Sequence, residues 1–105
     1  MVFVEASVFS KSLSDYMSDH EYSGFQSYLI ANPKAGDLIQ GTGGLRKVRW
    51  AAKNKGKRGG VRIIYYWQAS EEQIYLLTIY AKNEAEDLSA DQKKALKQLV
   101  ERWSL

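Results

Sequence analysis

The sequence predicts an α+β fold: an antiparallel sheet, mixed through its N-terminal strand, that packs against an N-terminal helical hairpin and a C-terminal helix. Three observations predict it. Strand-like runs occur at the N-terminus and in the second half of the chain. Apolar residues at helical spacing occur between these runs and again at the C-terminal end. The later strands are joined by short connections. A length of 105 residues suits one hydrophobic core, so we expect a single domain over residues 1–105.

The N-terminal third predicts a strand followed by two helices. Val2 to Val8 is rich in Val and Phe, and the apolar residues after it recur at helical spacing, at Phe9, Leu13 and Tyr16 or Met17. These two patterns predict one strand and a short first helix.

A capping box formed by Ser18 and Glu21 opens the second helix. The apolar face of this helix carries Tyr22, Phe25 and Leu29. Pro33 ends the helix, because proline disfavours helical geometry in the residue before it. Lys34 to Gln40 then leads out of the helical hairpin.

Three further strands are predicted at Leu45 to Ala51, Val61 to Gln68 and Ile74 to Lys82. The polar, glycine-rich stretch Lys53 to Gly60 joins the first two as a mobile hairpin loop, and Ala69 to Gln73 joins the last two as a tight turn. Short connections require antiparallel pairing. The second of these strands has apolar residues at both odd and even positions, except at Arg62. We therefore expect it to be a central strand that is covered on both faces.

A second capping box at Ser89 and Gln92 opens the final helix. Its apolar stripe consists of Leu96, Leu99, Val100 and Trp103. This stripe is either core or a partner surface, and core is favoured.

Several classes of site are excluded or disfavoured. The chain has no cysteine, which excludes disulfides and thiolate chemistry, and its one histidine, His20, is expected to face solvent in a first helical turn. Gly41 to Gly44 lacks the remainder of a phosphate-loop motif and predicts only a turn. The acidic residues Glu84, Glu86 and Asp87 lack the spacing of a calcium-binding loop. We expect them to contribute to solubility and to interact with the dipole of the following helix. We expect no metal and no cofactor.

No targeting or membrane segment is expected. The N-terminal run contains Glu5 and lacks a basic start, so it resembles a strand rather than a signal peptide. No apolar run approaches the roughly 20 residues that span a bilayer. We therefore expect a cytoplasmic protein.

Positive charge is concentrated in one stretch. The net charge is only +3, but Leu38 to Ser70 contains no acid. Its eight cations, of fifteen in the chain, are Arg46, Lys47, Arg49, Lys53, Lys55, Lys57, Arg58 and Arg62. Such an uneven distribution of charge along the chain indicates a polyanionic partner. The alternative is a solvated lysine loop without function.

Aromatic residues are interleaved with these cations. The set comprises Arg49, Trp50, Arg62, Tyr65, Tyr66, Tyr80 and Lys82. Guanidinium groups bind phosphate and aromatic rings stack on unpaired bases, which suits RNA, although tyrosines in strands are more often core. Arginines can also stabilise the charge that develops during RNA cleavage, so the composition permits a metal-free nuclease without showing one.

The runs Gly41 to Arg49, Lys57 to Tyr66 and Tyr75 to Glu84, taken in order, resemble the HigB-type branch of the RelE toxin superfamily. The resemblance covers nearly the whole chain and implies a RelE-like fold. It also implies a ribosome-dependent endoribonuclease that cuts messenger RNA, and a cognate antitoxin, of helix-turn-helix type, that neutralises it.

The resemblance also assigns residues. Lys47 and Arg49 match paired basic residues of the family, Arg62 matches its phosphate-binding arginine, and Lys82 a lysine that ends the last strand. Asn83 stands where RelE itself has a second arginine, and no tyrosine follows Tyr80, whereas RelE has one near the start of its last segment.

The leading hypothesis is an mRNA interferase whose partners are the ribosome, messenger RNA and an antitoxin. The predicted catalytic residues are Arg49, Arg62, Lys82 and Asn83, and the predicted RNA-binding residues are Arg46, Lys47, Lys53, Lys55, Lys57 and Arg58. Two alternatives remain open: a gyrase inhibitor resembling the ParE branch, and a plain RNA-binding module.

Overall fold

The computed structural model describes residues 1–52, 60–82, 84 and 87–103. In chain order its elements are β1 (Val2–Glu5), α1 (Ser7–Tyr16), α2 (Asp19–Ala31), β2 (Asp37–Leu38), β3 (Leu45–Trp50), β4 (Val61–Gln68), β5 (Gln73–Ala81) and α3 (Ala90–Trp103). A single 3-10 turn, Ala69–Glu71, joins β4 to β5. The predicted α+β class is confirmed.

The strands form one sheet in the order β1-β5-β4-β3-β2. β3, β4 and β5 pair antiparallel, as their short connections require, and β1 pairs parallel with β5. The sheet is therefore mixed through its N-terminal strand, as predicted. β4 lies at its centre, and residues 61–65 are buried, which confirms the prediction of a central strand covered on both faces.

The strand β2 was not predicted, because Lys34 to Gln40 has no strand periodicity. Tertiary contacts hold it at the sheet edge, where Asp37 pairs with Lys47 and Leu38 with Arg46. Just before it, Gly36 passes so close to β3 that an added Cβ would lie 2.9 Å from the Lys47 carbonyl oxygen. A two-residue strand of this kind leaves no pattern in the sequence.

Both predicted capping boxes are present. Ser18 Oγ accepts from the Glu21 amide while the Glu21 carboxylate accepts from the Ser18 amide, and Ser89 and Gln92 do the same before α3. The second helix ends at Ala31, two residues before Pro33, as the proline rule requires.

The two faces of the sheet carry separate cores. The face covered by α1 and α2, called here the hairpin face, buries Phe9, Phe25, Leu29, Ile63, Tyr65 and Leu76. The other, called here the α3 face, buries Leu45, Ile64, Tyr75, Leu77, Tyr80 and Val100, with Leu96, Leu99 and Trp103 packed against them. The apolar stripe of α3 is therefore core, as favoured.

A β-bulge in β5 changes which residues share a face. Ile64 pairs with Thr78 but Tyr65 pairs with Leu76, so Leu77 is an extra residue without a partner opposite. Strict alternation would put Leu76 and Tyr80 on the same face, because they are four residues apart. The bulge instead puts Leu76 on the hairpin face and Tyr80 on the α3 face.

No helix within the described ranges is both long and apolar enough to cross a membrane.

Candidate functional site

Two predicted arginines lie side by side on the α3 face. Arg49 of β3 is directly opposite Arg62 of β4, and Arg62 is directly opposite Tyr80 of β5. Directly opposed side chains in a sheet have Cβ atoms roughly 5 Å apart, so these three form one row across three strands. We call Arg49, Arg62 and Tyr80 the basic row. Two like charges placed opposite each other favour an anion between or above them.

Arg62 is only 6% exposed, which is rare for an arginine. Its Nη1 donates to the Val61 carbonyl oxygen at 3.4 Å. Arg49, in contrast, is exposed. The row therefore runs from a solvent-facing guanidinium to a buried one, so an anion approaching from solvent meets Arg49 first.

Lys47 extends the basic row by one step along β3 on the same face. Its Nζ lies 3.5 Å from the Asp87 carboxylate, with side chains 28% and 54% exposed. The Leu88 amide donates to Asp87 Oδ1 at 2.8 Å and, together with Lys47 and Lys93, lowers the pKa of Asp87. Asp87 is therefore an anion held at the basic surface, in addition to any role in solubility.

The Tyr80 side chain is 9% exposed, and its hydroxyl has no hydrogen-bond partner among the described residues. Burial raises the pKa of Tyr80, the Asp87 carboxylate raises it further, and Arg62 partly offsets these effects. Tyr80 therefore carries its proton at neutral pH and can act there as a hydrogen-bond donor.

A glycine aligns the two strands that carry the arginines. Gly60 precedes β4, has a φ of +76° and is buried. An added Cβ at this position would collide with the Trp50 carbonyl oxygen at the end of β3. The close approach of Gly60 to Trp50 supports the register in which Arg49 faces Arg62.

The remaining predicted residues are not members of the basic row or fall outside the described ranges. Arg46 points to the hairpin face, where its Nη1 donates to the Gly36 carbonyl oxygen at 2.8 Å. Lys82 is exposed in the turn that follows β5. The predicted residues Asn83, Lys53, Lys55, Lys57 and Arg58 fall outside the described residues, as does the predicted mobile loop apart from Gly60.

The acids after β5 have specific partners. Glu84 Oε1 accepts from the Tyr16 hydroxyl at 2.6 Å and from the Ala81 amide at 2.8 Å. Burial and this carboxylate raise the pKa of Tyr16 to about 12. Glu86 falls outside the described ranges. Over the part of the chain that is described, no three His, Asp or Glu side chains are grouped as metal ligands would be.

Sequence reasoning included Tyr80 among the aromatic residues that could contact RNA but favoured core for it, and it did not assign Asp87 to the site. A tyrosine in an apolar strand is typical of core, and the position of Tyr80 opposite Arg62 depends on the bulge at Leu77. Asp87 is 40 residues from Lys47 along the chain, so no local pattern connects them.

Comparison with known proteins agrees with this architecture. A family model described as the RelE toxin of the RelE/RelB toxin-antitoxin system matches residues 30–104. A chain of the intact E. coli RelBE toxin-antitoxin complex is similar, with a TM-score of 0.58 and 11% identity over 76% of this chain and 94% of that chain. Isolated E. coli RelE has a TM-score of 0.57 and 13% identity over 93% and 97%.

A double arginine-to-alanine mutant of E. coli RelE in the free state is also similar, with a TM-score of 0.56 and 11% identity over 81% of this chain and 86% of that chain. At such identities the solved structures establish the fold alone. The family model, which covers most of the sequence, establishes membership: this chain belongs to the RelE toxin family, the toxins of toxin-antitoxin systems, as its sequence resemblance predicted.

Proposed function

We propose that this toxin is a ribosome-dependent endoribonuclease that cuts messenger RNA and thereby inhibits translation. The observation that carries the proposal is the pair of directly opposed arginines, Arg49 and Arg62, with Lys47 beside them on the same face. A buried arginine beside an exposed one is suited to hold a phosphate bidentately while the rest of the RNA stays in solvent. Membership of the RelE toxin family supports the same function.

The proposed reaction is attack by the neighbouring ribose 2′-hydroxyl. The 2′-hydroxyl loses its proton to solvent as a bond forms between the 2′-oxygen and phosphorus. The bond from phosphorus to the 5′-oxygen breaks, the 5′-oxygen takes up a proton, and a 2′,3′-cyclic phosphate and a 5′-hydroxyl result. Arg49 and Arg62 stabilise the negative charge on the phosphoryl oxygens, and electrostatic stabilisation by fixed donors is generally the largest single contribution to catalysis. Lys82 assists proton transfer to the leaving oxygen or stabilises its charge, with Asn83 as a further candidate beside it.

The wider basic stretch is proposed to bind ribosomal or messenger RNA through its phosphates. Its residues outside the basic row are Arg46, Lys47, Lys53, Lys55, Lys57 and Arg58. Lysines bind the backbone without reading the bases, and this contribution weakens with salt.

The proposed protein partner is a cognate antitoxin of helix-turn-helix type that neutralises the toxin in the cytoplasm. The structural similarity to a chain of a toxin-antitoxin complex supports an antitoxin partner.

The proposal is tested by adding the purified protein to a translating extract and mapping breaks in the message. We expect cleavage by the wild type, and Arg62→Ala should reduce it by about a hundredfold or more, as loss of a transition-state donor does. Because Arg62 is buried, Arg49→Ala is the second variant: its side chain is exposed, so its removal leaves the fold intact. Lys11→Ala, which removes an exposed cation of α1, is the matched control and should cleave normally.

Three outcomes would contradict the proposal in different ways. Normal cleavage by both arginine variants would reject the site. Intact message together with stalled DNA replication would favour the gyrase-inhibiting alternative. Harmless expression without an antitoxin would favour a plain RNA-binding module.

A further inference from the structure

The Tyr80 hydroxyl is a buried donor at the end of the basic row, and no described residue accepts its hydrogen bond. Leaving a buried polar group unpaired costs free energy, and native structures rarely do so. The row beside it contains two arginines that attract an anion, and Arg62 is the residue directly opposite. An anion drawn to the arginines would therefore bring an acceptor oxygen to the Tyr80 hydroxyl.

We propose that Tyr80 is a further substrate-binding residue, whose hydroxyl donates a hydrogen bond to a nonbridging oxygen of the phosphate held by Arg49 and Arg62. This inference rests on the proposed RNA-cleaving function. It assigns to the site a neutral donor in addition to its two cationic ones. A neutral donor stabilises the negative charge that builds on the phosphoryl oxygens, because its hydroxyl proton is already oriented toward them.

The protonation state of Tyr80 agrees with this role. Burial and the nearby Asp87 carboxylate raise its pKa, so the hydroxyl carries its proton throughout the neutral range. Tyr80 therefore donates to the phosphate and does not act as the base that removes the 2′-hydroxyl proton.

The Lys47–Asp87 ion pair is the contact that an RNA phosphate is proposed to displace on its way to the buried hydroxyl. Asp87 lies near enough for its charge to act on Tyr80, and its carboxylate is bound to Lys47 at 3.5 Å. Both side chains are partly exposed, and ion pairs of this kind are weak. On this proposal an RNA phosphate replaces the carboxylate at Lys47 and moves Asp87 away from Tyr80.

The test compares Tyr80→Phe with Tyr75→Phe in ribosome-dependent cleavage of a defined message. Tyr75 is the matched control, because it belongs to the same strand and the same face, and its hydroxyl donates to Gln73 Oε1 at 2.9 Å. We expect Tyr80→Phe to lower kcat by about tenfold to a hundredfold, with KM raised by no more than about fivefold. Tyr75→Phe should cleave as the wild type does.

A stability measurement separates a substrate contact from a structural role. Tyr80→Phe removes an unpaired buried hydroxyl and keeps the ring, so its urea midpoint should equal or exceed that of the wild type. If Tyr80→Phe is less stable and Tyr75→Phe loses the same activity, the hydroxyl is structural and the inference is overturned. Wild-type kcat in Tyr80→Phe would overturn it too.

Binding of a 2′-deoxy oligonucleotide, which cannot be cleaved, distinguishes failure of this inference from failure of the proposed function. If the wild type cleaves no RNA, the proposed function fails, and oligonucleotide binding decides the role of Tyr80. We expect about fivefold weaker binding by Tyr80→Phe than by the wild type or Tyr75→Phe, a typical loss for one neutral hydrogen bond. Equal affinities of all three proteins would reject the phosphate contact.

Discussion

The two faces of the sheet each bury a tyrosine of a central strand, with opposite results for its hydroxyl. On the hairpin face, Tyr65 accepts from the Gly36 amide at 2.9 Å and donates to the Pro33 carbonyl oxygen at 2.8 Å. On the α3 face, the Tyr80 hydroxyl has no partner among the described residues. Tyr65 therefore stabilises the connection that leads into β2, whereas the Tyr80 hydroxyl is available to donate a hydrogen bond to a ligand.

The arginines differ between the faces in the same way. Arg46 on the hairpin face is bonded to the Gly36 carbonyl oxygen, within the segment that Tyr65 also holds. Arg49 and Arg62 on the α3 face oppose each other, an arrangement that a bound anion would stabilise. On the hairpin face, Tyr65 and Arg46 form hydrogen bonds that support the fold. On the α3 face, the arginines and the unpaired Tyr80 donor lie together at the proposed ligand site.

The largest expected difference between the faces is in the stability effect of removing each hydroxyl. Tyr65→Phe leaves the buried Gly36 amide without its acceptor, so it should lower the free energy of unfolding by about 2 kcal/mol. Tyr80→Phe should not lower it. Urea unfolding followed by tryptophan fluorescence measures both. Equal losses in the two variants would mean that the faces do not differ in this respect.

A smaller difference in stability is expected when two arginines of the same strand, Arg46 and Arg49, are each replaced by alanine. Arg46→Ala removes a charge-assisted hydrogen bond that is partly exposed and should destabilise the protein by about 1 kcal/mol. Arg49→Ala should change stability by less than about 0.5 kcal/mol and weaken RNA binding. Unfolding and oligonucleotide binding, measured on both variants, also test the predicted RNA-binding role of Arg46. If both weaken RNA binding equally and neither affects stability, the hairpin face binds RNA as well.

The smallest effect concerns the Lys47–Asp87 pair. Asp87→Asn should change stability at neutral pH by less than about 0.5 kcal/mol, because the pair is exposed. The pKa of Asp87 is lowered in the fold, so its contribution is present above the ordinary carboxyl range and is lost as pH falls below about 4. Acid unfolding of wild type and variant measures this.

The same variant removes the anion that, in the displacement proposed above, competes with RNA for Lys47. Asp87→Asn should therefore bind an oligonucleotide somewhat more tightly than the wild type. Weaker binding would indicate that Asp87 contacts the RNA itself, which would contradict the displacement step.

Most of the fold could be predicted from local patterns. Helical spacing around Phe9 and Phe25, two capping boxes and the apolar run that begins at Val61 each act over a few residues, so the sequence displays them directly. The two-residue strand β2 could not be predicted, because Gly36, Arg46 and Tyr65 hold it through contacts between distant parts of the chain.

The candidate site could be predicted only in part. The acid-free stretch pointed to Arg49 and Arg62, because charge clustering is visible in the sequence. Nothing in the stretch indicated that Arg46 faces the opposite side and bonds to the Gly36 carbonyl. The predicted loop cations from Lys53 to Arg58, and Asn83, remain predictions.

By itself the sequence determined the α+β class, the central strand, the family and the polarity of the surface, because composition and short-range periodicity are properties of the chain. The tertiary structure alone decided which side chains meet. One extra residue at Leu77 reverses the alternation of β5 and brings Tyr80 opposite Arg62. The tertiary fold also brings the Asp87 carboxylate to within 3.5 Å of Lys47 Nζ. Strand register depends on contacts along whole strands, so a single bulge changes the site without leaving a local signal.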